Sequence, residues 1–316
     1  METPLVSIVI PVYNGANFMR EAIDSALNQT YSNIEVIVVN DGSNDNGETD
    51  SIAQSYGEQI RYFKKPNGGV SSALNVGIEN MRGDYFSWLS HDDVYEKDKV
   101  EKQVAAINKS NDRTVVVCQY SQIDEWSHPL AGYISKSNFK SGVIYTWQEA
   151  LKKILSKNTI CGCCLLIPKC AFTECGLFNE ELRFCQDTVM WYEIFLKGYS
   201  LLCLDDALVR SRVHGRQLTQ TGQGLFRIES EKNSTFLTRK FIQASDAEYN
   251  FLTLYLFSNA KYMRLKTVKK IVDLGKKSNL ICGVENLKAY IICGYGKIRP
   301  IIRRIYYKIV RKMETT

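Results

Sequence analysis

Short solid apolar runs and helically spaced apolar positions alternate along the first third of this chain. Leu5–Ile10 is apolar and β-branched, which predicts a strand covered on both faces. Turn residues follow, Pro11-Val12-Tyr13-Asn14-Gly15, and then Phe18, Ala22, Ile23, Ala26 and Leu27 recur at helical spacing. A second buried strand, Ile34–Val39, ends in Asn40-Asp41-Gly42-Ser43-Asn44-Asp45. The pattern continues with a helix over about Glu48–Tyr56, a strand over Ile60–Lys64 and a helix over about Val70–Met81. Tyr85–Leu89 is a strand running into Ser90-His91-Asp92-Asp93, followed by a helix over about Lys97–Asn108 and a strand over Thr114–Cys118. Such alternation predicts βαβ units and a mostly parallel sheet, with three strands delivering polar loops to its carboxyl edge. Beyond residue 120 the rhythm loosens: Thr159–Ile167 and Ser200–Leu204 read as strands, Thr188–Lys197 as a helix, and from about Phe226 the chain is mainly helical.

Composition adds little until it is divided. With 45% hydrophobic and 23% charged residues the chain can bury a sizeable core. The net charge of +6 is unevenly placed: residues 261–316 hold 15 Lys/Arg against 3 Asp/Glu, so the body before them is net acidic. That argues against a nucleic-acid groove in the body and points the tail at an anionic surface. The start does not read as a signal peptide, because Glu2 replaces a basic residue and Pro11 closes the apolar run. No stretch approaches the roughly 18 uninterrupted apolar residues of a membrane span, so a cytoplasmic protein is expected. Ten cysteines, six of them between Cys161 and Cys185, show no pair of CxxC units with metal spacing. They read as small reduced hydrophobes, with structural zinc as the alternative; Cys161 and Cys163 alternate as on opposite faces of a strand.

Two acidic turns carry candidate chemistry. Adjacent carboxylates leaving a buried strand, Asp92 and Asp93, repel each other and call for a compensating charge, for which Mg²⁺ or Mn²⁺ with diphosphate oxygens is the natural choice. Capping of the following helix is the competing explanation. At the end of the second strand, Asp41 can accept from the imide N–H of a uracil or thymine ring while Gly42 lets the backbone approach; an ordinary Asx-turn would look the same. No GxGxxG and no GxxxxGK[ST] occurs, which argues against dinucleotide and P-loop folds.

In order, the chain presents Pro11-Val12-Tyr13-Asn14, Val39-Asn40-Asp41-Gly42-Ser43, Asn67-Gly68-Gly69, Asn75-Val76-Gly77-Ile78, Gly83-Asp84-Tyr85 and Ser90-His91-Asp92-Asp93. This series resembles the family 2 glycosyltransferases of the GT-A fold, densely over residues 4–95. The likeness continues more loosely through Cys161–Leu166, Gly176–Glu180, Gln186-Asp187 and Trp191 to Arg212-Val213-His214. It implies an inverting enzyme of the bacterial surface-polysaccharide (O-antigen or capsule) type. Its fold would be a mixed, mostly parallel α/β sheet plus a helical C-terminal extension. The domains would be 1–222, divided into a nucleotide-sugar half (1–118) and an acceptor half (119–222), and 223–316.

By the same resemblance, Pro11, Tyr13 and Asn14 border the nucleoside, Asp41 binds the base and Asn67 belongs to the donor site. Asp92 anchors metal and diphosphate, Asp93 lines the sugar, Asp187 is the general base, and Arg212 and His214 close over the diphosphate or metal. Three positions depart from the family pattern: Ser90 stands in place of the first Asp of the metal motif, Asn40 in place of an Asp, and Gln186 in place of a Glu. Direct displacement at an anomeric carbon needs a base for the acceptor hydroxyl and stabilisation of the departing diphosphate. A nucleotidyltransferase of similar architecture would want a basic Gly-rich loop after the first strand, which PVYNG lacks. A non-catalytic nucleotide-sugar or glycan-binding module is the alternative from another class.

The tail predicts a basic amphipathic helix. Ile298, Ile301, Ile302, Ile305, Tyr306, Ile309 and Met313 share a stripe, and Arg303, Arg304, Lys308, Arg311 and Lys312 fall largely off it. Residues 297–313 suit an anionic membrane surface, hence a peripheral position at the inner face of the cell membrane and a lipid-linked acceptor; packing on the body is the alternative.

Overall fold

The computed structural model describes residues 3–108, 110–135, 139–156, 160–215, 217, 223–246, 248–282, 285 and 288–294. The chain divides into two compact units, Met1–Lys153 with Asn158–Thr221, and Ile154–Lys157 with Gly222–Thr316.

The first unit is built on one sheet. Its central strand, β1 (Val6–Val12), is buried at every residue, as its unbroken apolar pattern requires. β1 pairs in parallel with β2 (Ile34–Asn40) on one side and β4 (Tyr85–Trp88) on the other, and β3 (Arg61–Lys64) extends the β2 edge in parallel. Beyond β4 the sheet turns mixed. β9 (Leu165–Pro168) runs antiparallel between β4 and β6 (Thr114–Ile123), and β10 (Ser200–Arg212) lies parallel to β6. Three short or peripheral strands complete it: β5 (Val94–Tyr95) and β8 (Ile144–Tyr145) on β10, and β7 (Pro129–Ile134) on β6.

Helices α1 (Met19–Leu27), α2 (Glu48–Gln54), α3 (Val70–Asn80) and α4 (Lys99–Ile107) connect the early strands. α1 buries Ala22, Ile23 and Ala26 of the stripe its spacing predicts and Met19 besides, while Phe18 and Leu27 are half-buried. α5 (Trp147–Ser156), α6 (Lys169–Cys175) and α7 (Gln186–Leu196) follow.

Pro11 explains how the sheet opens. A proline cannot donate to a ladder, so it is normally kept out of central strands. Val9 accepts from Leu89 N on the β4 side, and Pro11, two residues on, faces the same way. The register with β4 ends at Val9↔Trp88, whereas that with β2 runs on to Val12↔Asn40. The missing N–H thus lies where β4 has already diverged. The crevice between the ends of β1 and β4 is the topological switch point at which open α/β sheets bind ligands.

Some elements differ from the sequence pattern. Cys161 to Cys164 is not strand: Gly162–Cys164 is a 3₁₀ turn preceding β9. A Cβ on Gly162 would lie 2.2 Å from the Trp88 ring, so the chain turns here with its backbone against the indole. β6 extends five residues past Cys118.

The second unit is helical where described: α8 (Gln223–Ala244), α9 (Phe251–Asn259) and α10 (Leu265–Lys277). Asn250 caps α9 by accepting from Thr253 N at 2.9 Å. Phe241 and Tyr255 pack at 5.0 Å, and α10 buries Val268, Ile271 and Val272. Among the described residues no helix is long and apolar enough to cross a membrane. The amphipathic stripe of residues 297–313 lies outside the described residues.

Candidate active site

The Pro11–Asn14 and Asp41–Asp45 loops are clasped by side chains. Asn14, at φ 49°, accepts from Asn44 N at 2.9 Å and donates to Asn44 Oδ1 at 2.8 Å, and its own N–H reaches Ser43 Oγ at 2.9 Å. Tyr13, 44% exposed, projects beside this clasp. Asp41 is nearly buried and organises the next loop: Lys65 Nζ (2.7 Å), Gly68 N (2.9 Å) and Gly69 N (2.7 Å) all donate to its carboxylate. Asn67 closes the loop by donating to the Asp41 carbonyl at 2.9 Å. Of about four acceptor positions on a carboxylate, one remains for an incoming N–H. Gly42 has φ 69°, and a Cβ there would fall 2.5 Å from Asn67 N, so the turn tolerates only glycine.

Asn40 is an internal strut with no exposed surface. Its amide donates to Asp50 Oδ1 (2.8 Å) and the Tyr62 hydroxyl (3.0 Å), and its Oδ1 accepts from Ser43 N (2.9 Å). Bonds from Lys64 and Tyr62 hold the Asp50 carboxyl below the ordinary range, so Asp50 is ionised. An Asp at 40 would face it as a second carboxylate. Asn40→Asp is expected to lower stability by about 1–3 kcal/mol; an unchanged urea midpoint would refute this account of the residue.

The second acidic turn is not a helix cap. β5 and Asp98, the residue preceding α4, stand between it and that helix. Asp93 accepts from Arg212 N at 2.9 Å, and burial together with the adjacent Asp92 pushes its carboxyl well above the ordinary range. Asp92 Oδ2 lies 3.0 Å from His214 Nε2. Ser90 turns to Cys163, its Oγ 3.3 Å from the sulfur. Burial pushes the His91 imidazole below its ordinary range.

Arg212 locks these pieces together. Only 1% exposed, it donates through Nε to the Asp92 carbonyl (2.8 Å) and through Nη1 to Asp124 O (3.1 Å), Glu125 O (3.3 Å) and Ser127 Oγ (2.9 Å). Nη2 reaches Glu21 Oε2 at 2.5 Å. The guanidinium lies 4.6 Å from the Phe18 ring centroid, and that ring packs 5.1 Å from His214. Arg212 therefore ties the ends of β4, β6 and β10 to α1, with little of its fork left for a ligand. Phe18, Glu21, Ser127 and Lys65 are site residues that the sequence pattern did not single out; their partners come from distant parts of the chain.

Asp187 stands in the first turn of α7. Thr188 N (2.5 Å) and Thr188 Oγ1 (3.2 Å) donate to its Oδ1. Burial pushes its carboxyl up to about 6, opposed by these bonds. The helix N-terminus, worth at most about 1 kcal/mol to an exposed carboxylate, does not offset that desolvation.

Loops from β1, β2, β4 and β10, those of β2 and β4 bearing carboxylates, thus converge at the switch point of a mixed, mostly parallel sheet, with helices following. This is the GT-A class of nucleotide-sugar-binding fold. Residues 7–180 match the model of Glycosyl transferase family 2. The chain is 46% identical over 298 residues to an uncharacterised glycosyltransferase of Rickettsia felis, covering 90% of this chain and 48% of that protein. It is 35% identical over 196 residues to the hyaluronan synthase of Pasteurella multocida, 61% of this chain and 18% of that one. In fold it resembles S. aureus TarS 1–349 in complex with UDP-GlcNAc, with a TM-score of 0.59 at 16% identity over 95% of this chain and 91% of that one. The chain belongs to the family 2 glycosyltransferases. It spans about half the length of the Rickettsia felis relative.

Proposed function

We propose that the chain transfers a sugar, with inversion, from a UDP- or dTDP-linked donor to a saccharide or lipid-linked acceptor in bacterial surface-polysaccharide synthesis. The observation that carries this reading is the assembly of Asp92, Asp93 and His214 around buried Arg212. Asp41 offers its remaining acceptor position to the base, beside Pro11, Tyr13, Asn14 and Asn67. The described solved relative binds UDP-GlcNAc, which supports a uridine donor. Asp187, poised near neutral pH, takes the proton of the attacking hydroxyl.

Among the described residues no three His, Cys, Asp or Glu side chains gather to hold a metal ion. Two do converge, Asp92 Oδ2 and His214 Nε2, and a pair completed by diphosphate oxygens fits Mg²⁺ or Mn²⁺. The imidazole favours Mn²⁺, since Mg²⁺ prefers oxygen. When bound, the cation would neutralise charge on the departing diphosphate. Trp126, 73% exposed, sits on the turn whose Asp124, Glu125 and Ser127 hold Arg212, and offers a flat apolar face to an acceptor sugar. Lys266, Lys269, Lys270 and Lys277 line a shallow groove on α10 and, with the basic tail, support an anionic membrane surface as partner.

A thermal-shift panel of nucleotide-sugars with Mn²⁺ or Mg²⁺ tests the reading. One UDP- or dTDP-sugar should stabilise the chain only with metal, by roughly 3 kcal/mol at a hundredfold excess over Kd. Asp92→Asn should remove the metal-dependent part; a metal requirement unchanged in that variant would sink the anchor role.

A further inference from the structure

Cys161, Cys163 and Cys164 stand at the head of β9, and Cys118 Sγ donates to the Cys164 carbonyl at 3.4 Å. Cys161 is partly exposed, the other three buried, and none is in a disulfide. Cys161-Gly162-Cys163-Cys164 has the C-x-x-C spacing of thiol–disulfide chemistry. Cys164 N donates to Cys161 O at 3.1 Å, closing a tight turn. Such a turn holds its end Cα atoms within about 7 Å, and disulfides span roughly 4.4–6.8 Å.

Beneath the turn lies an unusual cation. Lys99 has no exposed surface, and its ammonium donates to Ser87 Oγ and Gln103 Oε1, both at 2.9 Å, and lies 3.9 Å from the Tyr95 ring centroid. Among the described residues no carboxylate pairs with it. The groups that interact with its charge are the thiols of Cys118, Cys164, Cys163 and Cys161. Gln103 links the two sets, donating through Nε2 to the Cys164 carbonyl at 2.9 Å. Burial pushes the Lys99 ammonium below its ordinary range, and a thiolate among these cysteines, the reactive form of the residue, would oppose that shift.

We propose that Cys161 and Cys164 form a reversible disulfide that switches off the neighbouring transfer site. With hydrogen peroxide as oxidant, the Cys161 thiolate takes one oxygen to become a sulfenic acid, releasing hydroxide that is protonated to water. The Cys164 thiol then displaces a second water to give the S–S bond. The hydroxide takes up the proton that Cys161 released on ionising, so overall two thiols lose two electrons and two protons and peroxide is reduced to two waters. Bond formation pulls on the turn whose Cys163 sulfur lies 3.3 Å from Ser90 Oγ, at the start of the Asp92–Asp93 turn. The inhibitory effect rests on the proposed function; the disulfide itself does not.

The test oxidises the full reduced chain with peroxide, then alkylates free thiols and maps the peptides by mass spectrometry. A Cys161–Cys164 link reversed by dithiothreitol is expected, with transfer lowered by roughly tenfold to a hundredfold and recovered on reduction. C161S and C164S should each keep the same rate with and without peroxide; C161S, at the partly exposed position, stands in should C164S fail to fold. Both thiols remaining alkylatable, a link to another cysteine instead, or a linked protein as active as the reduced one would each overturn the proposal. If the reduced chain shows no transfer, the mapping still decides the disulfide, and the failure falls on the functional reading alone.

Discussion

Asp187→Asn is expected to lower kcat by roughly 10²–10⁴-fold, the contribution of a positioned general base, while leaving the affinity for the donor unchanged. Asparagine keeps the size and the oxygen that accepts from Thr188, so α7 should keep its first turn. What it lacks is the basicity. In the native chain burial holds this carboxyl at about 6, so the rate should fall about tenfold per pH unit below that value and level off above it. The variant's residual rate should show no such limb. The stability sign follows from the same shift. The unfolded chain releases this proton near 3.8 and the folded chain near 6, so ionisation destabilises the fold as pH rises through that window. Asp187→Asn should therefore raise Tm at neutral pH while removing activity, a pairing that a merely structural aspartate would not give. Wild-type turnover, or a flat native pH profile between 5 and 7, would end the assignment.

The nucleotide-binding half was legible because each strand there is a compact Val/Ile run and each connection carries turn residues. Burial on both faces of β1 and β2 leaves that signal little room for ambiguity. The two-residue strands β5 and β8 were illegible, being too short for any periodicity. Cys161–Cys164 reads as strand by its alternation, and only the contact of Gly162 with Trp88, more than 70 residues away, makes it a turn. The motif positions supplied the residues of the site but not their partners. Asn40 stands in the sequence where the family pattern has an Asp, and the structure turns it inward to Asp50 and Tyr62. Ser90 looks like a missing metal ligand and is in contact with a cysteine sulfur. Such pairings join residues tens of positions apart, where local pattern carries no information.

Arg212→Lys separates two roles that the motif position leaves open. A residue that grips the diphosphate would weaken donor binding on substitution and leave the fold alone. The geometry argues the other way, since the fork reaches five protein acceptors from Asp92 to Glu21 and is 1% exposed. Lysine retains the charge but has three donors on a tetrahedral head, and cannot reach both the Asp92 carbonyl and the Asp124–Ser127 turn. The substitution should destabilise the fold by roughly 3 kcal/mol, the scale for breaking a buried charge network, read as a lower urea midpoint. The donor effect should be indirect: with Asp92 and His214 no longer held, the concentration of Mn²⁺ needed for donor binding should rise, while metal-independent binding of UDP stays near native. An unchanged urea midpoint with weakened UDP binding in the absence of metal would show instead that Arg212 touches the diphosphate itself. The buried arginine would then have to leave its five partners on donor binding, at a cost no single phosphate contact offsets, since one charge-assisted bond contributes only about 1.5–3 kcal/mol.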